Sequence, residues 1–218
     1  MHLSVIAIDV ALMKVIRDME NRDLLHKIIM LMFPDDVGEH PRKHFDILYR
    51  VERMRILLQS TMIPSGSRLP RGYRLMSTKD LSEAYSHLKV GMSLRFRIDA
   101  NTSLRRPIEP QEWIPHLEEE GNTLTKIKTH RVGCRTYDER AKWLERAMDW
   151  AGAEVVSYAM ESLPVIKIIR QEGDPPGILE ATRFDGILKI QDLERFMKAL
   201  QGGIGQGKPY GLALLSIA

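Results

Sequence analysis

The chain has 218 residues, of which 44% are hydrophobic and 28% charged, the balance of a folded protein with its own core; a disordered or fibrous polymer is excluded. Its pI is about 9.0 but its formal net charge is only +3, so affinity for nucleic acid has to come from local clusters of Lys and Arg. The single cysteine, Cys134, excludes a disulfide framework and fits a reducing, cytoplasmic setting, and the N-terminal MHLSVIAIDV has neither the basic start nor the apolar length of a signal peptide or membrane span.

Taken in order, residues 2 to 8 alternate and are rich in Val and Ile, which predicts a strand with Leu3, Val5 and Ala7 on one side. Asn21 is a helix cap, with Asp23 in the first turn and an apolar stripe through Leu24, Leu25, Ile28, Ile29, Leu31 and Met32 up to Pro34. FDILYRVE (45 to 52) and RILLQST (55 to 61) read as a hairpin, Pro64 to Gly72 as a surface loop, and Lys79 to Leu88 as a short helix. GMSLRFRIDA (91 to 100) alternates, with Leu94, Phe96 and Ile98 inward against Arg95, Arg97 and Asp99 outward. This βαββαβ order is the ferredoxin-like unit that also underlies the RRM.

The second half repeats the order. It contains a strand over Thr125 to Val132, an amphipathic helix from Asp138 to Trp150 with Trp143, Leu144, Ala147 and Trp150 on one face, and extended segments at 153–158, 165–170 and 178–190. A helix capped by Asp192 and a strand over 210–217 complete it. The expectation is an α+β protein of two tandem ferredoxin-like (RRM-like) domains, residues 1–104 and 105–218.

The densest motif is the final GGIGQGKPYGLALLSIA. Gly202 to Lys208 meets the first positions of the nucleotide-binding pattern GxxxxGK[ST], but Pro209 stands where a hydroxyl is required, and the loop follows a helix and opens a strand, the reverse of a P-loop. No nucleotide cofactor is expected. A loop with Gly203, Gly205, Gly207, Lys208 and Gly211 suits contact with a phosphate backbone instead.

Lys167 and Arg170 lie in a hairpin with the tip GDPPG, and Arg183 follows on the next strand. These are either a basic ribbon for nucleic acid or the solvent face of alternating strands. Aromatics are scarce at 6%, which favours phosphate and shape recognition over base stacking. His40 and His44 have i,i+4 spacing, but Pro41 interrupts a helix there and no carboxylate or thiol cluster completes a metal site, so no metal is expected. His26 sits on the polar side of its helix. Either Asp23 orients it and holds its pKa up, or Asp23 pairs with Lys27 and His26 is simply exposed.

The run FDGILKIQDLERFMKALQGGIGQGKPYGLALLSIA closely resembles the end of the CasE family, the CRISPR repeat-processing endoribonucleases of type I-E systems. LLHKIIMLMFP, ILYRVE with LLQS, and LRFRIDANTSLRR extend the likeness over nearly the whole chain. The resemblance implies two ferredoxin-like domains and metal-independent cleavage of precursor RNA at the base of the repeat stem-loop. The product would be guide RNA with a 2′,3′-cyclic phosphate, retained within Cascade beside its other subunits. It implies that His26 is catalytic, that Lys208 and the glycine loop contact RNA, and that Lys167 and Arg170 lie near the stem; Lys167 and Asp23 are expected beside His26 in catalysis, and Lys27 and Arg183 among the RNA contacts.

This chain departs from the family pattern at Asp23, where related enzymes carry Tyr, and at Ala213, where the second glycine of GxGLL stands. The first departure takes away a phenolic proton and keeps open a non-cleaving, hairpin-binding subunit of the same complex.

Overall fold

A computed structural model of the protein describes residues 1–35, 41–107, 129–171, 173 and 175–218. The first half is built on one antiparallel sheet of β1 (His2–Ile8), β2 (Leu48–Val51), β3 (Arg55–Ser60) and β4 (Tyr73–Asp80), in the order β2-β3-β1-β4. Between β1 and β2 come helices α1 (Met13–Glu20) and α2 (Arg22–Met30) and the single turn α3 (Pro41–His44). β1 buries Ser4, Ile6 and Ile8, leaving Leu3, Val5 and Ala7 half-buried on its other face. Leu25, Ile28 and Ile29 of α2 join Ile6, Ile56 and Leu58 in one core. Each such buried side chain contributes about 1.5–3 kcal/mol. After β4 the short helix α4 (Ser82–Ser86) leads into the second half.

That half uses β5 (Ser93–Ala100), α5 (Tyr137–Trp150), β8 (Ala153–Ser162), β11 (Thr182–Ile190), α6 (Leu193–Gly202) and β12 (Ser216–Ile217), with sheet order β12-β5-β11-β8. β6 (Ser103–Pro107) pairs with β7 (Thr129–Gly133), and β9 (Ile166–Ile168) with β10 (Gly177–Leu179), as two outlying ribbons. Counted within each half, both sheets have the order 4-1-3-2 of a ferredoxin-like unit. Among the described residues no helix is long and apolar enough to cross a membrane.

Four expectations are corrected. The strand at 93–100 does not close the first sheet; it is the first strand of the second, paired with β11 and β12. The first sheet is completed by Tyr73–Asp80, part of which was expected to be helix; its mostly exposed edge position hides the alternation of a buried strand. The terminal strand is only Ser216–Ile217, because Lys208–Tyr210 turns as a 3-10 helix. Trp150 is 61% exposed rather than sharing the buried face of Trp143 and Leu144. Of the expected strand 125–132, residues 125–128 lie outside the described residues, as do His40 of the histidine pair and Asp174 in the hairpin tip.

The halves are joined by polar side chains of the first that find acceptors in the second. Arg50 on β2, 3% exposed, donates to Ser216 Oγ at 2.9 Å, to Glu52 at 3.3 Å and to the carbonyls of Arg97 and Leu214. Gln59 Nε2 donates to the Leu200 carbonyl at 2.7 Å, and the Tyr49 hydroxyl to the Pro209 carbonyl at 2.7 Å. Buried donors must be satisfied, so these contacts dictate how one sheet sits on the other.

Candidate functional site

The N-terminus of α2 is where the halves meet most closely. Asn21 caps it by accepting from the Asp23 amide at 3.1 Å, and the same oxygen accepts from the Ile169 amide at 3.0 Å. Its Nδ2 donates to the Ile169 carbonyl, also at 3.0 Å, and Asn21 forms a parallel bridge with Lys167. One side chain thus satisfies a helix end and docks the basic β9–β10 hairpin against it. Lys167 and Arg170 are exposed on that hairpin side, and the neighbouring Tyr210 hydroxyl raises the Arg170 pKa.

His26 lies one turn along α2. Its ring is half-buried, and Nδ1 has no surface and no hydrogen-bond partner among the described residues. Burial lowers its pKa below the ordinary 6.5; Arg42 and Lys27 lower it further, and Asp23 opposes them. Asp23 is paired with Lys27 at 2.8 Å. The i,i+4 ion pair is therefore present, yet His26 is neither simply exposed nor raised by its acidic neighbour. A neutral imidazole at physiological pH accepts a proton.

The glycine-rich end packs against this helix. Gly203, Gly205, Gly207 and Gly211 all have positive φ, and the turn Lys208–Tyr210 sits on α2, pinned by Tyr49. A Cβ on Gly203 would stand 2.8 Å from the Ala213 carbonyl, and one on Gly211 2.8 Å from the Tyr49 ring. Glycine at these two positions is demanded by the protein's own packing. Lys208 is tied by its ammonium to the Gly202 carbonyl, and its pKa is lowered by burial and by Arg42, with Asp46 opposing. Arg42 is thus the charge common to His26 and Lys208. Sequence reasoning missed it, because the only signal was a basic PRKH run just before the first hairpin.

His26, Asp23, Lys27 and Lys208 are thereby gathered with Arg42 around α2, and Lys167 and Arg170 reach the same helix from the hairpin side. Arg183 is set back from them, held by Asp99 through two hydrogen bonds of 2.7 and 2.8 Å. Lys167 and Arg183 line a cleft of ≈ 670 Å³ between the halves. Among the described residues no group of three or more His, Cys, Asp or Glu is placed to hold a metal ion. A half-buried neutral imidazole amid cations can take up a proton while the cations stabilise a growing negative charge.

A family model described as "CRISPR associated protein" matches residues 1–218. The chain is 28% identical to the CRISPR-associated endoribonuclease Cse3 of Thermus thermophilus, over 93% of this chain and 92% of that one. It is also 28% identical to the CRISPR system Cascade subunit CasE of Escherichia coli K12, over 91% and 93%. In three dimensions it is similar to the crystal structure of the CRISPR-associated protein Cas6e from E. coli K-12, with a TM-score of 0.73, 26% identity and coverage of 100% and 99%. The fold is shared as well with Cse3 bound to a 19 nt RNA, at a TM-score of 0.77, 24% identity and full coverage of both chains.

Proposed function

Because this chain belongs to the CRISPR associated protein family, as a member of its CasE group, we propose that it is an endoribonuclease that processes CRISPR RNA. Its substrate is precursor RNA, cut at the base of the repeat stem-loop, and the guide RNA product stays bound with other Cascade subunits in the cytoplasm. The observation that carries the reading is His26, a half-buried imidazole held neutral beside Arg42, Lys27 and the Lys208 turn.

The chemistry draws its nucleophile from the substrate. Neutral His26 takes the proton of a ribose 2′-hydroxyl, and the 2′-oxygen attacks the adjacent phosphorus. The P–O5′ bond breaks, leaving a 2′,3′-cyclic phosphate, and the 5′-oxygen takes a proton from water, which recovers it from the protonated His26. Lys208, Lys167 and Arg42 offset the charge that gathers on the phosphorane-like transition state. Asp23 holds Lys27 in place and moderates the cationic field on His26. Since no step uses a bound ion, the reaction is metal-independent. The glycine turn from Gly203 to Gly211 (Gly203, Gly205, Gly207, Gly211), with Lys208, Lys27 and Arg170, holds the RNA backbone, and Arg183 lines the cleft beside it.

The test is incubation with hairpin RNA of the repeat encoded beside the gene, in excess EDTA. Wild type should cut once and leave a cyclic phosphate end; His26→Ala should bind and not cut. Tight binding without cleavage by wild type would leave the non-cleaving hairpin-binding subunit as the answer.

A further inference from the structure

The cleft between the halves contains a cation that the reading above does not use. Arg22 opens α2 and lines the cleft with Lys167, Arg183, Asp99 and Gly211. It stands four residues before His26, so the two side chains leave the helix on one face, a turn apart. Its Nη1 is buried without a hydrogen-bond partner among the described residues, as His26 Nδ1 is. A Cβ on Gly211 would come within 3.4 Å of that nitrogen, so glycine there leaves the guanidinium its place.

A buried charged donor with no acceptor costs stability, and removing such a charge usually stabilises the protein that carried it. The neighbouring carboxylates do not relieve it by contact. Asp99 is occupied by Arg183 at 2.7 and 2.8 Å, and Glu52 by Arg50 and Arg55 at 3.3 and 2.7 Å. Of the other charged residues lining the cleft, Arg22, Arg53 and Lys167 stand against Glu20 alone, an excess of positive charge. A guanidinium fits a phosphate with two parallel N–H donors, which makes Arg the residue suited to receive one out of water.

We infer that Arg22 is a preset receptor for a phosphodiester of the bound RNA, which lies in the interdomain cleft one helical turn from His26. This rests on the RNA-cleaving function proposed above. The ligand chemistry is a phosphate oxyanion, and the RNA chain, rather than free phosphate, is its source because Lys167 continues the cationic line onto the hairpin.

The test compares wild type, Arg22→Met and Arg22→Lys on a repeat hairpin made uncleavable by 2′-deoxyribose at the cut position, alongside cleavage of the unmodified hairpin. Arg22→Met should melt no lower than wild type, yet bind the hairpin about tenfold more weakly, with the slope of log Kd against log [KCl] smaller by about one. Arg22→Lys should recover the slope but only part of the affinity. The inference is overturned if Arg22→Met binds with unchanged affinity and slope, or if it melts well below wild type, since Arg22 would then serve the fold. An inorganic-phosphate-induced rise in Tm that Arg22→Met loses while RNA binding is unchanged would make this a free-anion site and also overturn it. A wild type that neither binds nor cuts the hairpin would instead strike the proposed function itself.

Discussion

The carboxamide of Asn21 and the backbone of Ile169 are joined by two hydrogen bonds of 3.0 Å each, although 148 residues separate them. Asn21 caps the helix of His26, and Ile169 follows Lys167 on the basic hairpin, so one side chain sets the distance between His26 and Lys167, the proposed proton acceptor and its supporting charge.

Asn21→Ser separates the cap from the clamp. Serine still caps α2 but is too short to bridge to Ile169, so stability should fall by only about 1–2 kcal/mol. Single-turnover cleavage at saturating RNA should slow roughly tenfold to a hundredfold, because misplacing a charge by a fraction of an ångström weakens its effect on the transition state. Hairpin affinity should move much less. A wild-type cleavage rate in Asn21→Ser would show that the hairpin needs no clamp.

For His26 the pH dependence has a definite sign. Its folded-state pKa lies below the ordinary 6.5, so as pH falls the unfolded chain takes up a proton before the folded one. Stability is therefore full above 6.5 and declines below it, until the folded form protonates too. His26→Gln should flatten that part of the stability–pH curve. Cleavage by wild type should rise with pH along a limb whose midpoint is below 6.5 and then level off; a midpoint above 6.5 contradicts the role as proton acceptor.

Removing Arg183 should act on the fold as well as on the cleft. Asp99 is 4% exposed, and without its partner it becomes an uncompensated buried charge. Arg183→Ala should cost about 3 kcal/mol in denaturant unfolding, and Asp99→Asn combined with Arg183→Met should recover most of it. If the single variant costs no more than an exposed ion pair, under about 1 kcal/mol, the pair is not the internal strut described here.

Two positions in the glycine-rich end should differ in how much a methyl group matters. Gly203→Ala forces a Cβ against the Ala213 carbonyl and Leu48 at a φ of 73°, and should destabilise by about 2 kcal/mol or more. Ala213 already holds a φ of 78° while fully buried. Ala213→Gly loses about 0.8 kcal/mol of methyl burial and some chain entropy, but relieves about 1–2 kcal/mol of left-handed strain. The net change in Tm should be close to zero, unlike that of an ordinary buried Ala→Gly change.

Much of this architecture was legible in the residues. The Asn21 cap, the hairpin at 48–60, the alternation of Leu94, Phe96 and Ile98 and the Asp192 cap all stand as read, because each depends on local periodicity or a single side-chain hydrogen bond. Sheet membership was not legible for 93–100, since alternation reveals a strand's faces but not its partners. Missing the exposed edge strand at 73–80 left the first sheet one strand short, and the next strand was used to fill it. Within the proposed site, His26 and Lys208 were named through the family resemblance and Lys27 as a neighbour on the same helix. Arg42 and Arg22 were not, because their significance lies in what surrounds them: shared neighbours for one, a missing acceptor for the other.

The joining of the halves bears on how the protein is made. Tyr49, Arg50 and Gln59 belong to a sheet whose last strand ends at Asp80, yet their acceptors lie between Leu200 and Ser216, apart from the carbonyl of Arg97 and the neighbouring Glu52. During synthesis the first sheet can pair long before those acceptors leave the ribosome, so these three polar side chains stay hydrated until that segment emerges. The glycine turn that completes the site is thus also what completes the fold, and a nascent chain short of it should present a wet, uncommitted surface with no assembled cleavage site.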